Sequence, residues 1–232
     1  MTSWFDDEVS ALERRTLSAQ GSVNPILFYG SSSFTLWHDI EQHFPGYNVV
    51  NHGFGGSTLA DCIQYFDRLV VPIAPRMVVV YAGDNDLADG ASPEAVLSRV
   101  ATLVRRKRDA LGAVPMAFVS IKVSPARFAI MHRIAYTNLI VERALFEQQD
   151  VRFVDITRRM VGRGMGSLLE LYSEDPLHMN RDGYRVLARS LFEYITGIER
   201  HAGDLRVGTA LAHPAWRDPP ERDAMPDALS VC

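Results

Sequence analysis

The sequence is poor in cysteine. Cys62 and Cys232 are the only two in 232 residues, too few for a disulfide framework or a cysteine-rich zinc site. A reduced, cytoplasmic setting is therefore expected, with no metal and no organic cofactor. There is no apolar run of the roughly 18 residues or more that a transmembrane helix needs, so no membrane partner is expected. The first ten residues place Asp6, Asp7 and Glu8 where a secretory signal would carry basic residues and then an apolar stretch, so export by that route is not expected either. Positive charge is not in excess. The 24 Lys and Arg face 28 Asp and Glu, for a formal net charge of −4, and this excludes the strong overall attraction that a nucleic-acid-binding domain shows. Internal repeats and low-complexity tracts are missing as well. What is present is a 47% apolar chain, too hydrophobic to stay unfolded and long enough for one domain with a core that needs no covalent staple.

Short apolar runs alternate with helical patterns. Residues 25–29, 47–51, 77–81, 116–120 and 151–154 are rich in Val, Ile and aromatics with few polar interruptions, as strands buried on both faces require. Between them, Leu36, Ile40 and Phe44 recur at helical spacing, as do Leu59, Ile63, Phe66 and Val70. Ser92-Pro93-Glu94 supplies an N-cap, an N1 proline and an early acid for a helix over Pro93 to Leu111. A further helix is expected over 129–148, and a last one capped by Asn180 and running through Ile195. Strand, helix, strand repeated in this way predicts an α/β protein with a five-stranded parallel sheet between two helical layers. The expected division is an N-terminal helical extension (1–24), a catalytic domain (25–199) and a C-terminal tail (200–232). That tail lacks periodicity and holds Pro214, Pro219, Pro220 and Pro226.

Parallel sheets bind ligands beyond the carboxyl ends of their strands, so the loops there are the candidate site. Gly30-Ser31-Ser32-Ser33 follows the first strand. It can be a turn with a serine N-cap, an anion nest at a helix start, or a nucleophilic serine raised above the sheet edge. Gly53-Phe54-Gly55-Gly56-Ser57-Thr58 follows the second. It can be a plain turn, or a place where a backbone N–H approaches an oxyanion with no side chain in the way; it lacks the spacing of a dinucleotide fingerprint. Gly83-Asp84-Asn85-Asp86 follows the third and can be a solvated turn or offer an asparagine amide to a developing oxyanion. No second acidic cluster supports a Mg²⁺ reading. Asp175 and His178 stand three apart before the last helix, an offset at which a carboxylate can hold one imidazole nitrogen and leave the other free for a proton. Taken together, a serine, two oxyanion donors and an Asp/His pair are the parts of an acyl-transfer site.

These segments resemble the sequence blocks of the SGNH (GDSL-type) hydrolases, in order, over Pro25 to Ile195. Ile26 to Ser33 resembles the first block and puts the nucleophile on Ser32. Gly53 to Thr58 resembles the second and puts an oxyanion glycine on Gly56. Gly83-Asp84-Asn85-Asp86 resembles Gly-x-Asn-Asp and puts an oxyanion asparagine on Asn85. Asp175-Pro176-Leu177-His178 resembles Asp-x-x-His and supplies the acid and the base. Ser31 stands where the family's Gly-Asp-Ser has aspartate. The resemblance implies a flavodoxin-like three-layer fold and an esterase working through a Ser32–His178–Asp175 triad, an acyl-enzyme, and an oxyanion hole made by Ser32, Gly56 and Asn85. Its partner would be a small-molecule acyl ester. With no long apolar lid visible, short acyl chains are expected. The alternatives are an acyltransferase with the same triad and a non-catalytic phosphate-binding domain of flavodoxin-like topology.

Other features are read more plainly. Arg105-Arg106-Lys107-Arg108 is expected to be a solvated helix end that suits the macrodipole. Trp37 and Tyr184 are expected in the core. His52, Phe54 and the segment from Lys122 to His132 are expected to line the substrate pocket, and the glycine-rich stretch 162–166 to form a rim or a connector. The apolar tail residues Ala210, Leu211, Ala212 and Trp216 would pack on the body or on a neighbouring subunit.

Overall fold

A computed structural model describes residues 5–18, 24–163 and 166–204. The chain begins with helix α1 (Asp6–Ser18), followed by β1 (Ile26–Gly30), α2 (Ser32–Thr35), β2 (Val49–Gly53), α3 (Leu59–Gln64), α4 (Phe66–Leu69), β3 (Met77–Tyr81) and α5 (Asp84–Ala88). Then come α6 (Pro93–Leu111), β4 (Met116–Val119), α7 (Met131–Phe146), β5 (Val151–Val154), α8 (Thr157–Met160) and α9 (Arg181–Asp204). The five strands form one sheet in the order β2-β1-β3-β4-β5, and every pairing is parallel. This is the expected α/β/α sandwich.

Side chains alternate across each strand, and both faces are covered. Leu27, Tyr29, Val78, Val80, Met116 and Phe118 point into one core, with Val96, Val100 and Leu103 of α6 and Ile134 and Val141 of α7. Val9 and Leu12 of α1 lie in the same core, at 0% and 5% exposure, so the N-terminal helix is packed onto the domain, against α4. Ile26, Phe28, Val79, Tyr81, Ala117 and Val119 point into the other core, with Trp37 and with Leu187, Leu191 and Ile195 of α9. Trp37 and Tyr184 are buried there and stack at 5.2 Å.

Local signals start and stop the helices. The Ser92 hydroxyl accepts from the Ala95 N–H at 3.2 Å, Pro93 opens α6, and Gly112 closes it. The Asn180 side chain accepts from the N–H groups of Asp182 and Gly183 at 3.0 and 3.1 Å and so caps α9, which continues past Ile195 to Asp204.

Two expectations need correction. The spacing of Leu36, Ile40 and Phe44 does not make one helix: α2 stops at Thr35 and a separate 3-10 turn covers Ile40–His43. Trp37 is drawn into the aromatic cluster of Phe28, Phe34 and Phe44, and its burial outweighs helical continuity. The basic run at the end of α6 is not simply solvated. Lys107 is fully buried, with its ammonium 2.6 Å from Asp150 Oδ2, while Arg108 pairs with the same carboxylate from outside. Asp150 lies just before β5, so the pair ties α6 to the sheet edge.

Among the described residues, no helix is long and apolar enough to cross a membrane. The tail features at 210–212 and 216, Cys232, and residues 164–165 of the glycine-rich stretch lie outside the described residues.

Candidate active site

The chain runs from β1 to β2 on one side and then returns to place β3 on the other side of β1. The crevice between the carboxyl ends of β1 and β3 is therefore the topological switch point. The sheet brings the four candidate segments to this edge.

The turn after β1 depends on Gly30. Its φ is +144°, and a Cβ there would lie 2.0 Å from the Tyr81 carbonyl oxygen of β3, so no side chain can be accommodated. The next N–H, of Ser31, donates to that carbonyl at 2.9 Å. The chain then turns directly into α2, with Ser32 at its first position, where backbone N–H groups have no helical acceptor. The three serines separate sharply. The Ser31 hydroxyl is buried and, among the described residues, has no hydrogen-bond partner. The Ser33 hydroxyl is buried and accepts from the Lys122 ammonium at 2.9 Å. Only Ser32 faces the histidine, with Oγ 3.0 Å from His178 Nε2.

His178 Nδ1 is bonded to Asp175 Oδ2. A carboxylate can only accept, so Nδ1 carries the proton and Nε2 is left to accept from the Ser32 hydroxyl. The loop holding the pair is tight: the His178 N–H donates to the Asp175 carbonyl at 3.1 Å, and the Ser173 N–H donates to the His178 carbonyl at 3.0 Å. The Leu177 backbone N–H, 2.9 Å from Asp175 Oδ1, and then the His178 ring hold the Asp175 carboxyl below the usual carboxylate range. Asp175 is exposed, whereas His178 is largely covered.

Gly56 is exposed, with φ +78° and open space where a Cβ would be; what it supplies is the left-handed backbone of this turn. The loop is closed on its far side by a capping box between Thr58 and Asp61 at the start of α3. The Asn85 amide donates to the Ser57 carbonyl at 3.1 Å, so this side chain lies against the Gly56 loop. Buried Asp86 joins the two loops: it accepts from the Leu59 N–H at 2.9 Å and from Arg99 at 2.5 Å. Burial raises the Asp86 pKa, opposed by those bonds.

Several supporting residues escape a reading by motif. Asn51 of β2 donates to the Phe34 carbonyl at 2.8 Å and so holds the end of α2; a polar residue inside an apolar strand was the available signal. Glu8 of α1 accepts the Gly55 N–H with both oxygens, at 3.0 and 3.1 Å. Nothing in the local sequence links residues 47 apart. Lys122, 1% exposed, reaches Ser33, the Tyr81 hydroxyl at 3.1 Å and Asp84 at 3.5 Å. It lies beneath the crevice and does not line it. His52 and Phe54, expected to line the pocket, are instead core residues. His52 Nδ1 is 2.7 Å from the Leu69 carbonyl, and burial lowers its pKa. A cavity of about 450 Å³ opens between Leu36, His43, Met179 and Tyr184, and its lining includes none of Ser32, Asp175 and His178. Among the described residues, no group of three or more His, Cys, Asp or Glu is placed to hold a metal ion.

The GDSL-like Lipase/Acylhydrolase family matches the chain over residues 20–186. The chain belongs to this family. It is accordingly an ester-hydrolysing enzyme. Solved structures agree on the fold. A GDSL-like lipase from Bacteroides thetaiotaomicron is 18% identical, with a TM-score of 0.72 over 82% of this chain and 98% of that one. A lipase/acylhydrolase from Enterococcus faecalis is 18% identical, with a TM-score of 0.62 over 75% and 96%. A Clostridium thermocellum family 3 carbohydrate esterase is 18% identical, with a TM-score of 0.63 over 77% and 98%. No curated protein matches the chain.

Proposed function

We propose that this GDSL-family enzyme is a serine esterase in which Ser32 is the nucleophile, His178 the general base and acid, and Asp175 the residue that orients His178. The observation that carries the reading is the unbroken relay from Ser32 Oγ through His178 Nε2, at 3.0 Å, to Nδ1 and Asp175. Ser32 Oγ attacks the ester carbonyl carbon as its proton passes to Nε2. The carbonyl oxygen becomes an oxyanion facing the backbone N–H groups of Ser32 and Gly56 and the Asn85 amide. Collapse breaks the bond to the alcohol, which leaves with the proton from His178. Water then enters by the same route in reverse roles and releases the acid. Asp175 remains a carboxylate throughout and stabilises the imidazolium.

The substrates proposed are small acyl esters with short chains. A reducing, cytoplasmic setting accompanies the reading, in keeping with Cys62 as a free thiol. The test pairs kinetics with labelling. Ser32→Ala should abolish hydrolysis of p-nitrophenyl acetate without loss of the folded state, and a fluorophosphonate should attach to Ser32 alone. Activity retained in Ser32→Ala, or labelling at Ser31 or Ser33, refutes the assignment.

A further inference from the structure

Arg127 is a charged residue at the crevice that the triad chemistry leaves unused. It sits in a 3-10 turn, Pro125–Ile130, that spans the mouth of the site. At one side the Ala126 N–H donates to the Pro176 carbonyl, inside the Asp175–His178 loop, at 3.2 Å. At the other, an Arg127 terminal nitrogen lies 3.4 Å from Asn85 Oδ1. The guanidinium is thus one amide width from the proposed oxyanion hole and between the two halves of the site.

Its partners are too few for a half-buried cation. The Asn85 bond is long and is made to a neutral oxygen. Among the described residues, the buried Arg127 Nε has no hydrogen-bond partner and Arg127 forms no ion pair. Some arginines that pack on the body pair with a carboxylate, as Arg99 does with Asp86 and Arg159 with Glu193, and Arg133 and Arg152 instead donate to backbone carbonyls; the described Arg127 guanidinium has only the long Asn85 contact. A guanidinium without a carboxylate is costly to bury, and its planar fork matches a carboxylate or phosphate.

We infer that Arg127 recognises an anionic group on the substrate. The preferred substrates are then esters carrying a carboxylate or phosphate a few bonds from the reacting carbonyl. The inference rests on the esterase reading and adds a substrate class to it. The anion can belong to the acyl group or to the leaving alcohol, and matched probes separate the two. On the acyl side, mono-p-nitrophenyl succinate is compared with its neutral methyl ester. On the alcohol side, 4-acetoxybenzoate is compared with 4-acetoxybenzamide. Uncatalysed rates are subtracted, and Ser32→Ala serves as the blank.

In the wild type, kcat/KM for the anionic member of at least one pair should exceed that of its neutral partner by roughly tenfold to hundredfold, the worth of a hydrogen bond to a charged group. The preference should appear mainly in KM. Arg127→Gln should collapse the anionic-to-neutral ratio toward one, and Arg127→Lys, which keeps the charge without the fork, should restore it in part. If Arg127 only steadies the Asn85 amide, Arg127→Gln lowers kcat for both members of each pair equally and the ratio does not move; that result overturns the inference. A wild-type enzyme with no anionic preference overturns it too, while leaving the esterase reading intact. Failure of all four esters together with absence of fluorophosphonate labelling at Ser32 overturns both.

Discussion

Replacing Lys122 by Met tests how the crevice is supported. The Lys122 ammonium is buried at 1% exposure and the Asp84 carboxylate at 3%. The two face each other at 3.5 Å, with the Ser33 and Tyr81 hydroxyls completing the ammonium's shell. The ammonium also lies 5.0 Å from the Tyr81 ring centre, a cation–π contact. Burial raises the Tyr81 pKa well above the ordinary phenol value, so its hydroxyl stays protonated and can share these bonds. Methionine fills similar volume but leaves Asp84 as a buried, uncompensated charge. Removing one partner of such a pair costs about 3–5 kcal/mol. For a domain of this size each kcal/mol shifts Tm by roughly 2–4 °C, so Lys122→Met should lower Tm by roughly 6–20 °C. The double variant Lys122→Met/Asp84→Asn removes both charges and should recover at least half of that loss. Urea unfolding of both variants and of Asp84→Asn closes a double-mutant cycle. The site should respond too, because Asp84 Oδ1 accepts the Asn85 N–H at 3.1 Å. A Lys122→Met loss under about 1 kcal/mol, or a double variant no better than the single one, would refute the view that this cluster is a coupled buried pair.

Other outcomes follow from the same contacts. On the proposed mechanism, Asn85→Ala removes one oxyanion donor and should lower kcat by about 10²–10³ with little change in KM, as measured by steady-state hydrolysis of p-nitrophenyl acetate. Glu8→Ala frees the Gly55 N–H two steps from Ser57; it should reduce kcat more than KM, and Glu8→Gln, which still offers one acceptor oxygen, should restore part of it. Asp150→Asn leaves Lys107 buried without its counter-charge and should cost about 3 kcal/mol in urea unfolding. The Arg108 and Lys107 bonds depress the Asp150 pKa. Its contribution is therefore fully present above the ordinary carboxylate range and is lost as pH falls toward the depressed value. The stability gap between wild type and Asp150→Asn should accordingly narrow in acid, as followed by unfolding at a series of pH values.

Much of the architecture was legible in the chain because it rests on local chemistry. Strands buried on both faces must be nearly all apolar, and β3 begins and ends where its Val-rich run does. Ser92, Pro93 and Gly112 bound α6 by their own backbone preferences. The segment after β1 misled because four-residue spacing records which side chains are buried, not how the backbone delivers them. Trp37 satisfies the same core through a turn. Lys107 misled for the opposite reason: its neighbours in sequence are solvated, while its partner, Asp150, is 43 residues away.

The sequence alone determined the alternation of strands and helices, the order of the loops at the strand ends, and the residue types on them, because hydrophobic periodicity and turn chemistry act over a few neighbours. Local chemistry did not distinguish the three adjacent serines, and only the family resemblance put the nucleophile on Ser32. Tertiary structure separated them, since only packing against β3, Lys122 and the Asp175–His178 loop buries the Ser31 hydroxyl and sends Ser33 to an ammonium and Ser32 to an imidazole. The same holds for Glu8 at Gly55 and Arg127 at Asn85. Contacts between residues far apart in the chain follow from how the layers close on one another, and no short-range pattern encodes them.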